Sequence, residues 1–393
     1  MPVFRAIFLL LIALAIPASP ARAAPAADYL APDSEARWVP FELTTGNQIR
    51  FRTLLDGKWI DAMLDTGVTD TAVSARYARR HGMKPLVRGR ADAIGGGVAL
   101  SWAALSRVEV GGLVRTGGRI AIIEADPRVT GTQPVDLFVG SDLLAAHALD
   151  IDYDARRFRL LPSGRMPFRG ATATLTLAGR TGLYLTELNL GGQRLRPMIV
   201  DTGDGSMVTL TRAAWARIDA GDARLTTAVA YGLGGMVETE LAVASTLRLA
   251  TLAHAEVELR IEPDTGFSGR KGAAGRIGGG LLRRHRVLLD PRAGRMIVSR
   301  SEADPTPLVR STSGLMVAQH DDRLRVLHVM RGSPAAASGW RTGEEICTVD
   351  RKPIAADYAA SPLASWPVGR IGRIVLLGLC DGSDRRLTLA RFY

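Results

Sequence analysis

The chain has 393 residues, enough for two or three compact domains, and its apolar fraction of 47% is ordinary for a globular protein. Its formal charge is +11, yet only Lys58, Lys84, Lys271 and Lys352 are lysines, and the arginines are scattered. Without a run of five or more basic residues, nucleic-acid and membrane-surface binding are poorly supported.

In chain order, the N-terminus reads as a secretory signal. Arg5 supplies a positive charge, residues 6–16 are apolar, and Ala21-Arg22-Ala23 fits the small-x-small cleavage rule. That apolar stretch is too short to span a bilayer, which takes about 20 residues. The expectation is a signal peptide over 1–23, then a soluble, exported chain, periplasmic or secreted, with an N-terminal segment 24–40.

A unit then appears twice. Residues 49–55 and 58–64 read as strands joined by Asp56-Gly57, and 183–190 and 193–200 as strands joined by Gly191-Gly192. Each hairpin runs an apolar strand into Asp-Thr-Gly, at Asp65-Thr66-Gly67 and Asp201-Thr202-Gly203. Short helices should follow over 74–81 and 211–220, capped by Ser74 and Thr211. Glycine clusters come next, at Ile94-Gly95-Gly96-Gly97 and Leu233-Gly234-Gly235-Met236. Val139-Gly140-Ser141-Asp142-Leu143-Leu144 answers Ile277-Gly278-Gly279-Gly280-Leu281-Leu282, and Asp152 answers Asp290. The offset is 136 residues at the Asp-Thr-Gly and 138 at the later features. This order at one offset marks two lobes, 41–165 and 166–300. A third copy, Asp264-Thr265-Gly266, follows Glu262-Pro263 rather than an apolar strand and reads as a surface loop.

Residues 301–309 turn to Pro, Ser and charge and read as a linker. The remainder, 310–393, shares nothing with the repeat. It holds both cysteines, Cys347 and Cys380, which in an oxidising compartment could pair or could be buried thiols.

The repeated tripeptide has a chemical reading. Gly67 and Gly203 lack a Cβ and permit close approach of two loops. The hydroxyls of Thr66 and Thr202 can cross-bond the opposing loop. Two units packed face to face would bring Asp65 and Asp201 onto one water. Carboxylates that close cannot both ionise, so the pair shares a proton and can act as general base and general acid together. The glycine clusters suit hairpin flaps over a peptide, with Ile94, Gly95, Gly96, Leu233, Gly234 and Gly235 at the contact. No His-Glu-x-x-His metal pair, Gly-x-Ser-x-Gly elbow or phosphate loop occurs, and neither metal nor cofactor is called for. The six histidines read as isolated packing or surface residues, Trp102 and Trp215 as core, and Asp152 and Asp290 as turn holders.

Residues 41–300 resemble two retropepsin-like aspartic protease units fused in one chain. The resemblance rests on the apolar-Asp-Thr-Gly strands, the Gly-Gly flaps and the Gly-x-x-Leu-Leu segments. It implies a mainly β fold, with catalytic Asp65 and Asp201 supported by Thr66, Gly67, Thr202 and Gly203. The family usually has Ala after the tripeptide, where Val68 and Asp204 stand here. Asp204 would raise the pair's pKa if ionised and close, and would not if turned to solvent or to an arginine. Residues 331–350 resemble the PDZ signature of bacterial proteases. Ser333-Pro334 starts a short alanine helix, Gly339 ends it, and Ser313-Gly314-Leu315-Met316 fits the loop that binds a peptide carboxylate. The chain is thus read as a monomeric exported endopeptidase with a small α/β module that recruits protein substrates or peptide termini. The rival reading is a non-catalytic scaffold holding peptides in a degenerate cleft.

Overall fold

The computed structural model describes residues 24–393 except 127–128, 131–132, 180, 220, 222 and 303–306. The signal segment 1–23 and most of the Pro-rich linker motif lie outside the described residues. The chain is mainly β.

Ile49–Leu55 shows how the strands arise. Its alternate residues Ile49, Phe51 and Leu55 are buried, while Arg50 and Arg52 face outward, the period-2 pattern of a one-sided strand. Asp56 and Gly57 both take positive φ (50° and 75°), as do Gly191 and Gly192 (55° and 74°), which is the twist a two-residue hairpin loop demands.

The two repeats build sheets with the same strand order. In the first, Ile49–Leu55, Lys58–Leu64, Leu137–Val139, Ala72–Ser74, Arg119–Ile123, Gly96–Ala104 and Val87–Ala93 lie side by side. In the second the order is Tyr184–Leu190, Gln193–Asp201, Gly275–Gly278, Val208–Thr211, Leu252–Glu262, Gly235–Leu249 and Thr226–Gly232. Pairing senses match as well. Leu137–Val139 and Gly275–Gly278 each run parallel to the strand that ends at the aspartate and antiparallel to the strand after it.

A shared sheet joins the halves. Ala148–Asp152 pairs antiparallel with His285–Asp290, so that Asp150 lies opposite Leu288, its own counterpart 138 residues on. A pseudo-twofold axis therefore passes between these two residues. Asp150 is fully buried and accepts from Arg159 Nε (2.9 Å) in its own half and Arg286 Nη2 (3.0 Å) across the junction. One continuous apolar core runs through both halves. The N-terminal segment pairs Ala27–Leu30 with Leu113–Thr116 and Val39–Leu43 with Ile49–Leu55, on the first half.

Residues 315–388 form a separate six-stranded sheet with its own core around Trp366, Trp340, Ile346 and Leu377. Ser333 caps the helix Pro334–Ala337, accepting from Ala336 N (3.1 Å). Cys347 and Cys380 form a disulfide, which closes the alternative of two free thiols. This module docks on the strand Thr226–Gly232: Thr227 Oγ1 meets His328 Nε2 at 2.7 Å, and Thr226 Oγ1 donates to Arg331 O at 2.7 Å.

The helices depart from expectation in one place. Ala75–Arg80 forms as read, with Ser74 accepting from Tyr77 N. The second ends at Trp215, well short of residue 220, because the chain turns to bring Ile218 and Asp219 against the hairpin turn at Gly191.

Candidate active site

Two strands with fully buried ends, Met63-Leu64 and Ile199-Val200, carry Asp65 and Asp201 to the centre of the molecule. The threonines lock the loops reciprocally. Thr66 N donates to Thr202 Oγ1 (3.0 Å) and Thr202 N to Thr66 Oγ1 (3.1 Å). The hydroxyls in turn donate to Val200 O (2.7 Å) and Leu64 O (2.8 Å). All four groups are buried, so each bond removed would leave unmet donors or acceptors.

The glycines set how closely the loops approach. An added Cβ at Gly67 would lie 2.4 Å from Asp201 Cγ, and one at Gly203 2.3 Å from Asp65 Cγ. Each carboxylate therefore rests on the opposing glycine, and a methyl group at either position would displace it. Asp65 Oδ1 accepts from Gly67 N (3.0 Å), while Asp201 Oδ1 accepts from Gly203 N (3.0 Å) and Asp204 N (3.1 Å).

The aspartates are 8% and 4% exposed. Burial holds Asp65 well above the ordinary carboxylate range, and the adjacent Asp201 charge adds to it. Burial likewise raises Asp201, and the Asp204 charge adds to it, with Arg276 and the backbone N–H groups partly offsetting both. Two adjoining carboxyls with raised pKa values are disfavoured from ionising together.

Asp204 is neither solvent-facing nor electrostatically silent. It makes a buried 2.5 Å contact with Arg276 Nε, and Arg276 Nη1 also reaches Glu262 Oε2 and Ser268 Oγ at 3.0 Å. Burial pushes Asp204 upward, but the Arg276 charge and the Ser206 N–H outweigh it and keep its pKa low. It stays an anion beside the dyad, and both proximity and an arginine partner are realised together. Arg276 and Glu262 were not singled out in the sequence. The signal was available: the repeat sets Arg276 opposite Phe138, a charge in a place that is apolar in the other half.

Two hairpins roof the site, Val87–Ala93 with Gly96–Ala104 and Thr226–Gly232 with Gly235–Leu249. Their tips meet: Gly234 N donates to Ile94 O (2.9 Å), and an added Cβ at Gly95 would fall 2.4 Å from Gly235 O. Ile94, Gly95, Gly96, Leu233, Gly234 and Gly235 thus lie together at the crossing. Beneath them is a cleft of about 770 Å³ with Asp65 and Asp201 in its floor. Residues 24–43 contribute nothing to its walls, but Pro307, Leu308 and Val309 of the linker do.

Other sequence expectations fall elsewhere. Asp264 is exposed and accepts from Ala213 N, capping the short helix Arg212–Trp215. Asp152 and Asp290 accept from Ala155 N and Ala293 N, three residues on in their turns. Trp215 packs on the main core, whereas Trp102, read as core, is only partly buried and lines the cleft. His254 and His285, read as isolated, meet in a buried pair at 3.1 Å. In the C-terminal module the loop 313–316 is not a free carboxylate cradle. Gly314 N donates to Ser311 Oγ (2.9 Å), Leu315 N donates to Ser313 Oγ (3.0 Å), and Met316 Sδ takes the N–H of Val229.

Residues 52–144 match the family model described as "gag-polyprotein putative aspartyl protease". No curated protein matches the chain. The matched stretch runs from the hairpin before Asp65 to Leu144 of the Gly-x-x-Leu-Leu segment, so this part of the first half is similar to an aspartyl protease of the gag-polyprotein type.

Proposed function

We propose that the chain is an exported aspartic endopeptidase whose catalytic unit is the Asp65–Asp201 pair. The observation that carries the reading is the reciprocal threonine lock, which fixes two carboxyls on opposing glycines at the floor of a roofed cleft. The second half lies outside the family match. Its likeness to the first is topological, and its role as a second retropepsin-like lobe is part of the proposal.

The mechanism follows from the pair sharing one proton. Asp201 accepts two backbone N–H groups and Asp65 one, so the anion is favoured on Asp201 and the proton on Asp65. A bound water gives a proton to Asp201 as its oxygen attacks the scissile carbonyl carbon. Asp65 donates its proton to the carbonyl oxygen, giving a neutral tetrahedral diol. Collapse returns a diol proton to Asp65, and Asp201 passes its proton to the leaving nitrogen. The C–N bond breaks, and the pair is restored with one proton. The flap tips exclude bulk water during these transfers.

Export is supported by the signal-like leader and by the Cys347–Cys380 disulfide, which suits an oxidising compartment. Residues 310–393 act in this reading as a PDZ-like module that positions protein substrates. The edge of Leu315–His320 opposite its partner strand is the surface on which a peptide strand could add.

Cleavage of a peptide library by residues 24–393 tests the reading. Asp65→Asn and Asp201→Asn should each lower turnover by about 10²–10⁴-fold, the scale of a lost general acid or base. Undiminished cleavage in either variant would refute it.

A further inference from the structure

The matched ladders allow each residue on one cleft wall to be paired with its counterpart on the other. Ala72 corresponds to Thr209, Phe138 to Arg276, Ala121 to Arg260 and Ile123 to Glu262. One step along the next ladder, Leu100 corresponds to Thr239. The first wall is a hydrocarbon patch: Ala72, Ala121, Ile123 and Phe138 are buried together, with Leu100 and Trp102 packed over them. The second wall replaces this patch with hydroxyls and charges on the same backbone positions.

At the paired positions of the second wall, Thr239 and Arg260 leave side-chain atoms without a hydrogen-bond partner. Thr239 is 4% exposed, and its Oγ1 is unpaired. Arg260 leaves Nε and Nη1 unpaired, with the carboxylate of Glu258 at 3.7 Å, beyond hydrogen-bond reach. Both residues line the cleft, and Arg283 and Arg284 add cations on the same side. Buried donors are normally satisfied, so orphans gathered in a binding cleft point to an acceptor that arrives with a ligand. A planar guanidinium is matched by a carboxylate, which can take the two N–H bonds that Glu258, also in the cleft lining, leaves unmade. Trp102 also leaves its indole N–H unpaired, but that is a neutral donor on the edge of an apolar ring.

We propose that the cleft distinguishes the two sides of the scissile bond, taking a large apolar side chain against Leu100 and Trp102 and an acidic side chain against Thr239 and Arg260. The preferred substrates are peptides in which an aromatic or aliphatic residue adjoins Asp or Glu. This rests on the peptidase reading for the cleavage step, but not for the binding preference itself.

The test uses otherwise identical peptides carrying Phe next to Glu, Gln or Leu, in both orders. In one order kcat/KM should favour Glu over Gln by about ten-fold or more, the discrimination expected when a buried donor set is left unmet. Arg260→Leu should abolish that ratio and still cleave the Phe-Leu peptide. Arg260→Gln serves the same purpose if the leucine variant does not fold. Equal cleavage of all three peptides by the unaltered protein, or a Glu preference that survives loss of Arg260, would overturn the proposal. If no peptide is cleaved, the peptidase reading fails, and fluorescence anisotropy on the Asp65→Asn chain then decides this inference separately. Tighter binding of the Glu peptide that is lost on adding Arg260→Leu supports it, and equal binding refutes it.

Discussion

Behind Asp65 the first half packs Met63, Ala72 and Phe138, all apolar; behind Asp201 the equivalent places hold Ile199, Thr209 and Arg276, the last tied to Asp204 and Glu262. The strand order, the hairpin turns and the threonine bonds are common to both halves. The comparison separates two requirements that a symmetric site would confound. Geometry at the dyad is set by the features the halves share, and electrostatics by those they do not.

The largest expected effect comes from breaking the ion triad. Arg276→Met would strand Asp204 and Glu262 without their cation in a buried place and should cost about 3–5 kcal/mol in urea unfolding. Replacing the whole triad by the first half's residues, Asp204→Val with Arg276→Phe and Glu262→Ile, should cost far less, because well-packed apolar groups can substitute for a buried ion network. If the single and triple variants are equally unstable, the triad is not the coupled unit described.

The threonine lock supplies the symmetric control. Thr66→Val and Thr202→Val each remove one hydroxyl that both accepts and donates, and each should cost about 1–3 kcal/mol. The two should be alike, because each hydroxyl accepts from the opposing threonine N–H and donates to one carbonyl of the opposing strand. Markedly unequal costs would mean that the halves differ in geometry as well as in charge.

A smaller effect concerns acid stability. His147 and His285 hold one repeat position, 138 residues apart, but His285 alone meets another histidine, His254. Burial lowers all three, to about 3 for His285 and about 4 for His254. An unfolded histidine takes up its proton near 6.5, so between about 6.5 and about 3 the unfolded chain binds more protons and stability falls with pH. Asp65 and Asp201 act in the opposite sense: their folded pKa values are raised, so their stabilising contribution is complete below the ordinary carboxylate value and is lost as pH rises. Melting temperatures from pH 7 to pH 4 should therefore flatten in His285→Leu, and flatten less in His147→Leu.

What could be read from the sequence follows the same division. The duplicated Asp-Thr-Gly, the glycine clusters and the late aspartates sit at turns and close approaches, where residue type is dictated by backbone conformation. Those features are local and survive in a one-dimensional reading. The charged wall does not, because it is assembled across strands: Arg276 meets Asp204 from a strand 72 residues away. Gly275-Arg276-Ile277-Gly278 is a strand with all four residues buried, and only its neighbouring strands bury the arginine. Trp102 was hidden for a related reason. It stands on the cleft face of its strand, and only the closure of the flap over that face makes it a wall residue. The loop 313–316 shows the opposite failure: its motif was visible, but Ser311 and Ser313 supply hydroxyls that occupy the N–H groups the motif would offer.

The smallest expected effect is the most specific to the comparison. Asp204 is an anion near both members of the dyad, and its charge raises both. Its arginine partner acts on Asp201 in the opposite sense. Asp204→Asn removes the anion and leaves Arg276 bound to Glu262, so both changes make ionisation of the pair easier. The basic limb of the pH–rate profile, where the shared proton is lost, should move to lower pH. The mirror substitution in the first half, Val68→Asp, introduces a carboxylate where Phe138 offers no counter-charge, and the limb should move to higher pH. Opposite displacements would show that the charge on either flank tunes the pair. A profile unmoved by Asp204→Asn would mean that Arg276 already cancels its partner completely, leaving the chemical difference between the halves to act on substrate choice alone.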